Sequence, residues 1–500
     1  MKVMKKSFRY SLIAAAAMAL VLSSCDLNLT PTTSIAYIEG DPVMLTQTDV
    51  SEFENGVLAS YRSTSYGVYS QTQEVMCDYF NASIDYGNNY GAVHRLDDSF
   101  NDGEYNTRDH WSGHFGAIKN YNILIANADN VDESLKDYAQ FVKGEALFCR
   151  ASSYLHLARH FGKPYGSSSS SDLAVPLITV YDQLEKPARA TVAEVYAQVK
   201  SDLDAAAAIL SGETGKARAD YPTIDAVNAL YARYYLDIKD YANAARYAEG
   251  VINTGHYKLA STDEEMDAEY INDEGTEPII QMYASKSEGY GVNDIYTLTN
   301  NDSEHGLNFR SYYFPTKKLV EAYDEGDLRF THWFSNTIPN FVSGSYRTGE
   351  FYTFTKYYNN PALNSGTVPQ ARHARKTLLI GEMYLIAAEA NAQAGNTAKA
   401  TEILNALQSA RHATLTEGTM ENIKNEWFKE TVGEGLRLSC LKRWGDGMGA
   451  RTPQEGTELI IMKGAAYEQR TVAAGTDKLT WPVPTYEMQV NPNLVQNPGF

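Results

Sequence analysis

Apolar residues recur at helical intervals through most of this 500-residue chain. The pattern is clearest over residues 225–252, DAVNALYARYYLDIKDYANAARYAEGVI, where Val227, Tyr231, Tyr234 and Ile238 share one helical face. Ala244, Ala248 and Val251 repeat the interval on a second helix, and the link at 237–240 is short enough to require an antiparallel turn. Ala226, Ala229, Ala232, Ala244, Ala245 and Ala248 let the two backbones approach closely. Thr254-Gly255 ends the pair, with glycine available for a left-handed cap. The same reasoning predicts helices over 49–61, 111–127, 135–161 and 191–210, then from about Thr377 onward and over 422–431. Thr191 and Glu194 form a capping box at the fourth of these. Two stretches, about 62–109 and 256–374, keep no period and are dense in Tyr, Asn, Asp and Gly. They predict surface loops, where binding residues concentrate. The tail WPVPTYEMQVNPNLVQNPGF has enough prolines to predict an extended segment.

The helical unit occurs twice. In the second copy, residues 381–410, Ala388, Ala400, Leu404 and Leu407 stand at the offsets of Ala232, Ala244, Ala248 and Val251. Ala232, Tyr235, Ala244 and Ala248 occupy tetratricopeptide-like positions, although His256 replaces that motif's late proline. A helix pair that cannot bury its own apolar face must stack on neighbours. The predicted class is therefore mainly α, a tetratricopeptide-like helix-pair superhelix with a loop-rich face.

The first 24 residues read as a signal peptide: Lys2, Lys5, Lys6 and Arg9 precede an apolar run, 11–22, too short to span a bilayer. Leu22-Ser23-Ser24-Cys25 looks like a bacterial lipobox, with Cys25 as the lipidation site. Acyl chains there would anchor the protein to a membrane. Residues 25–45, rich in Thr and Pro, predict a flexible tether, and 46–500 a single domain.

Composition narrows the function. With 43 basic against 62 acidic residues the net charge is −19, which argues against nucleic acid. Tyrosine is abundant, 36 against 17 Phe, and suits wet surfaces that stack on a ligand. Cys77, Cys149 and Cys440 suggest no disulfide framework, and Cys149, beside Phe148 and Ala151, predicts an inert core thiol. His110 and His114 stand at i,i+4, but Trp111 follows where a metalloprotease has glutamate, and no third ligand is evident in sequence. No metal and no cofactor are therefore assigned. The acidic run 263–274 reads as a solvated face, and Gly445-Asp446-Gly447 as a helix-ending turn.

Five motifs in order resemble the SusD/RagB-like outer-membrane lipoproteins of Bacteroidetes. They are WSGHFGAIKNYNILIANAD at 111–129, KGEALFCRASSYLHLARHFGKPY at 143–165, GEMYLIAAEANAQAG at 381–395, LKRWGDG at 441–447 and the closing tail, all behind a lipobox. The stretch before LKRWGDG, TVGEGLRLSC, departs from the family's Glu-Arg-rich helix. The resemblance implies non-catalytic glycan capture at the cell surface beside a SusC-like TonB-dependent transporter. It also implies an outer-membrane location, although Asp26 after the cysteine would mean inner-membrane retention under the enterobacterial rule. Sugars offer apolar faces to aromatic rings and hydroxyl rims to amides, carboxylates and guanidinium groups. On that chemistry the ligand-binding residues expected are Tyr86, Asn88, Asn89, Tyr90 and Arg95 from the first loop-rich stretch. From the second come Tyr283, Tyr290, Asn293, Asp294, Tyr296 and Trp333, while Trp111 belongs to a structural helix. A lipid-anchored glycoside hydrolase and a peptide-capturing lipoprotein are the alternatives.

Overall fold

Thr46 starts the first helix, α1 (Gln47–Ser63): its hydroxyl accepts from Asp49 N–H, and the Asp49 carboxylate accepts from Thr46 N–H. The structure, a computed structural model, describes residues 43–500 except 183, 289, 292, 367 and 368. Cys25, the signal peptide and the tether as far as residue 42 lie outside the described residues.

The helices that follow are α2 (Val68–Met76), α3 (Gly91–Arg95), α4 (Tyr105–Asn127), α5 (Lys136–Phe161) and α6 (Val192–Ile209). The predicted capping box at Thr191 and Glu194 is present on α6. Next come the first hairpin, α7 (Ile224–Asp237) and α8 (Tyr241–Asn253), then α9 (Asp263–Tyr270) and the short α10 (Lys317–Val320) and α11 (Leu328–Trp333). The second hairpin is α12 (Ile380–Gln393) and α13 (Thr397–Ala410), followed by α14 (Met420–Glu430), α15 (Arg437–Trp444) and α16 (Thr485–Val490). Each helix from α4 to α8 packs on the next, α8 packs on α12, and α12 on α13 and α14. The two repeats are thus stacked into one mainly α superhelix. Val227, Tyr231, Tyr234, Ala244, Ala248 and Val251 are all buried in its core. At Gly144 a Cβ would come within 2.8 Å of Ile209, so α5 and α6 approach more closely than alanine allows. Arg150 and Asp202 lock the same pair through two hydrogen bonds of 2.9 and 2.6 Å. Cys149 is buried, as expected, and burial pushes its thiol well up.

Between residues 278 and 379 the chain forms strands of two to four residues rather than plain loops. Four of them make one sheet, in the order Ser345–Arg347, Asn340–Val342, Gly306–Phe309, Thr299–Asp302. Phe80–Ala82 pairs antiparallel with Tyr313–Pro315, with Asn81 opposite Phe314.

The stretch 62–109 also departs from the expected surface loop. It contains α2, buried along most of its length although it reads VYSQTQEVM. Its polar residues have partners far along the chain. Glu74 accepts from the N–H groups of Gly433 and Gly435 at 3.1 and 2.9 Å, and Gln73 donates to Gly435 O. Asp78 pairs with Arg437 at 2.8 and 3.0 Å. Arg451, fully buried, donates to the carbonyls of Met76, Cys77 and His94. This places a cation at the negative C-terminal end of α2. The tail differs as well. Pro482 and Pro484 precede α16 rather than interrupt it, and proline is tolerated there because the first N–H groups have no helical partner. Gly445 takes a left-handed cap after α15, as a helix-ending turn requires.

Candidate functional site

The residues expected from 62–109 converge on one surface loop. Gly87, Asn88 and Tyr90 all hold left-handed backbone, with φ of 62°, 62° and 55°. Outside glycine such a conformation costs on the order of 1 kcal/mol or more and clusters at functional sites. The loop curls so that the Arg95 guanidinium donates to Asn88 Oδ1 at 2.8 Å and to the Tyr86 hydroxyl at 3.1 Å. The Tyr86 and Tyr467 hydroxyls meet at 3.1 Å, with Tyr467 a further acceptor for Arg95 at 3.5 Å. Asp97 and Ser99 hold the other side of the guanidinium at 3.0 and 2.9 Å. Asn88 is exposed and Arg95 half-buried, so an amide faces solvent on a guanidinium held in a fixed array. Tyr86 is a correction in part. Its ring is buried, edge-on to Tyr313 and Tyr467, so it supports the array from below. Burial, then the Tyr467 hydrogen bond, pushes its hydroxyl up to about 12.

Asn89 is structural here, its amide donating to Tyr86 O at 2.8 Å. Tyr90 donates to Gln71 Oε1 at 2.9 Å, and Gln71 Nε2 donates to Asp294 Oδ1 at 2.8 Å. Asp294, expected from the second stretch, thereby joins the first set through buried Gln71.

The rest of the second set is not brought to this loop. Trp333 is 0% exposed, with Tyr270 edge-on at 5.0 Å and Lys356 Nζ over its ring at 3.8 Å. Tyr296 is equally buried, stacked on Phe80 at 4.2 Å, and Asn293 is buried with its amide donating to Lys356 O. Side chains with no exposed surface cannot stack on a ligand, so these three expectations are corrected to core roles. Tyr283 is exposed, and its carbonyl accepts from Arg62 at 3.0 Å. Tyr290 lies on a strand opposite His373, and its side chain is outside the described residues.

Three further features adjoin the loop without having been anticipated. Tyr467 comes from a C-terminal segment with no aromatic density to flag it. Tyr105, at the start of α4, is half-exposed. Ser343 N–H donates to Asp85 at 2.7 Å, bringing the hairpin of the four-stranded sheet alongside. Against that hairpin, from the neighbouring 299–310 segment, His305 stacks on Tyr346 at 3.6 Å and exposed Arg310 lies over Phe341 at 5.0 Å. Burial and hydrogen bonding here build an aromatic and guanidinium surface suited to polyhydroxylated ligands.

Two family descriptions match successive parts of the chain. One, starch-binding associating with outer membrane, matches residues 36–236, and the SusD family matches 261–500. The chain belongs to the SusD/RagB-like family. Among its relatives is SusD-like protein P2 of Formosa agariphila, 26% identical over 434 residues, covering 78% of this chain and 80% of that one. A candidate sugar-binding protein of Bacteroides vulgatus superposes with a TM-score of 0.75 at 26% identity, covering 92% of this chain and all of that one. A laminarin-binding SusD-like protein shares the fold, with a TM-score of 0.71 at 21% identity over 91% of this chain and all of that one. Among the described residues no helix is long and apolar enough to cross a membrane.

Proposed function

We propose that this SusD-like protein captures carbohydrate, without cleaving it, on the face built by Asn88, Arg95, Tyr105, Tyr467 and the adjoining 340–347 hairpin. The observation that carries the reading is the Arg95 guanidinium. It is fixed by Asn88 and Tyr86 on a left-handed loop, beside exposed aromatic surface. The family's starch-binding description and the sugar-binding relative support the ligand class. A captured glycan must still cross the membrane, and among the described residues no helix can do so. Delivery to a SusC-like TonB-dependent transporter, with Cys25 lipidated at the outer-membrane surface, completes the reading.

Calorimetry and retention of labelled oligosaccharides across plant, host and microbial glycans test it. Arg95→Ala and Tyr467→Ala should each weaken binding by about 1–3 kcal/mol, the range of truncated hot-spot residues, with the fold intact. Unchanged affinity in both would move the site elsewhere, and release of new reducing ends would refute the non-catalytic reading. Mild detergent extraction should recover a partner of barrel size, and recovery of the lipoprotein alone in several detergents would count against delivery.

A further inference from the structure

His110 and His114 lie one turn apart on α4, and His156 and His160 lie one turn apart on α5, which packs against it. The two pairs face each other. The His110 and His156 rings stack at 5.0 Å and 9°, and those of His114 and His156 at 4.2 Å. One ring nitrogen from each of His110, His114 and His156 lies within 4.8 Å of the other two. Sequence spacing supplied only two of these ligands; the third comes from the neighbouring helix.

His110 Nε2 lies 2.9 Å from Val68 O, and a carbonyl can only accept, so Nε2 carries the proton. His110 Nδ1 therefore accepts from His156 Nε2–H, 2.8 Å away, and a metal ion held between the two would take that proton's place. A backbone carbonyl on the outer nitrogen is the usual device for orienting a metal-binding imidazole. His114 is buried, and neither of its ring nitrogens has a hydrogen-bond partner. A buried imidazole left wholly unsatisfied is costly and calls for an explanation. His160 donates from Nδ1 to His156 O, leaving its Nε2 equally unpartnered. Tyr69 and Trp481 flank the rings. His114, His156 and His160 line a cleft of about 100 Å³ that provides an entry path.

We propose that His110, His114 and His156 form a binding site for a divalent transition metal of zinc's class, held between α4 and α5. Three neutral nitrogens with no carboxylate suit zinc, cobalt, nickel or copper and disfavour calcium and magnesium. Two nitrogens held tetrahedrally at about 2.1 Å from zinc sit roughly 3.4 Å apart, so modest ring rotations close the set. The inference is independent of the carbohydrate reading.

The test uses the purified protein, stripped with chelator and desalted, and zinc or cobalt chloride as probes. Wild type should bind about one equivalent of zinc, melt at a higher temperature with zinc present, and give cobalt the intense visible bands of a low-coordinate nitrogen site. Calcium should do none of this. His114→Gln should lower zinc affinity at least tenfold and abolish the cobalt bands. His156→Gln, at a partly exposed position, gives the same readout should His114→Gln fail to fold. Absence of stoichiometric zinc binding by wild type, or equal binding by folded His156→Gln, would overturn the proposal.

Discussion

Arg411 stands just past the end of α13 and is fully buried. Its guanidinium donates to Glu277 at 2.6 and 2.9 Å, to Glu430 at 2.5 and 3.2 Å, and to Ala260 O at 2.9 Å. Arg329, equally buried, pairs with Glu430, Glu426 and Asp327 in the same network. Arg411→Met keeps an apolar stem but removes the cation between two buried carboxylates. Glu430 retains Arg329, whereas Glu277 retains only neutral donors such as Ala260 N–H. Orphaning a buried charge costs about 3–5 kcal/mol. Unfolding entropy near 2.1 cal/mol/K per residue gives about 1 kcal/mol per kelvin for this length, so the melting temperature should fall by about 3–5 °C. The control is Lys399→Met, whose exposed pair with Glu402 should be worth under about 1 kcal/mol, hence under about 1 °C. The pH dependence separates lost charge from lost packing. Burial pushes the Glu430 carboxyl up, but Arg411 and then Arg329 outweigh it and hold it at about 2. In wild type that pairing stabilises above the ordinary carboxylate range and is lost as pH falls toward 2. In the variant the buried carboxylate left without a cation is favoured by protonation, so the deficit should be greatest at pH 8 and narrow toward pH 5. Calorimetry at four pH values reads it. A fall no larger than the Lys399 control, or one independent of pH, would refute the reasoning.

Burial drives the Glu74 carboxyl up to about 7 against the opposing Gly433 and Gly435 N–H groups. The folded state therefore holds a proton that the unfolded state releases, and stability should decline as pH rises from about 4.5 through 7, by roughly 3 kcal/mol. Glu74→Gln should flatten that slope in melting curves at pH 5 and 8; an unaltered slope would rule Glu74 out as its source. Trp333→Ala should cost about 3–5 kcal/mol of stability, as for a buried aromatic, while the folded fraction keeps its carbohydrate affinity in calorimetry. Loss of affinity in folded Trp333→Ala would restore it as a ligand residue. Cys25→Ala should leave unprocessed precursor or abolish membrane association on fractionation, and a processed, membrane-bound variant would contradict lipidation at that thiol.

The repeats were legible because Val227, Tyr231, Ala244 and Ala248 are small or apolar at one fixed period, and backbone geometry turns that period directly into a buried face. The Thr191 cap was legible because its partner, Glu194, is three residues away. Helix α2 was not, since Gln71, Gln73 and Glu74 are buried polar residues whose partners lie elsewhere in the chain. Half of the candidate face could be found because Asn88 and Arg95 meet across a single loop. Tyr467 could not, because it arrives from the far end of the chain. Trp333 and Tyr296 show the limit of reasoning from composition: an aromatic ring in an irregular stretch has the same residue type whether it faces water or the core. His156 escaped notice for a related reason, since helix spacing pairs residues within one helix and is silent about the helix beside it.

Arg451 bears on how the molecule comes to be folded at all. It closes the end of α2 from 374 residues away, counting from Cys77. Gln73 and Asp78 likewise wait on Gly435 and Arg437. Contacts between such distant parts of a chain must bear the full entropy of loop closure before they return anything, which slows folding. These partners of the early segment are absent until nearly the whole polypeptide has been made. Removal of the last fifty residues should take away Arg451, and with it the closure of the C-terminal end of α2, while the helical repeats can still form.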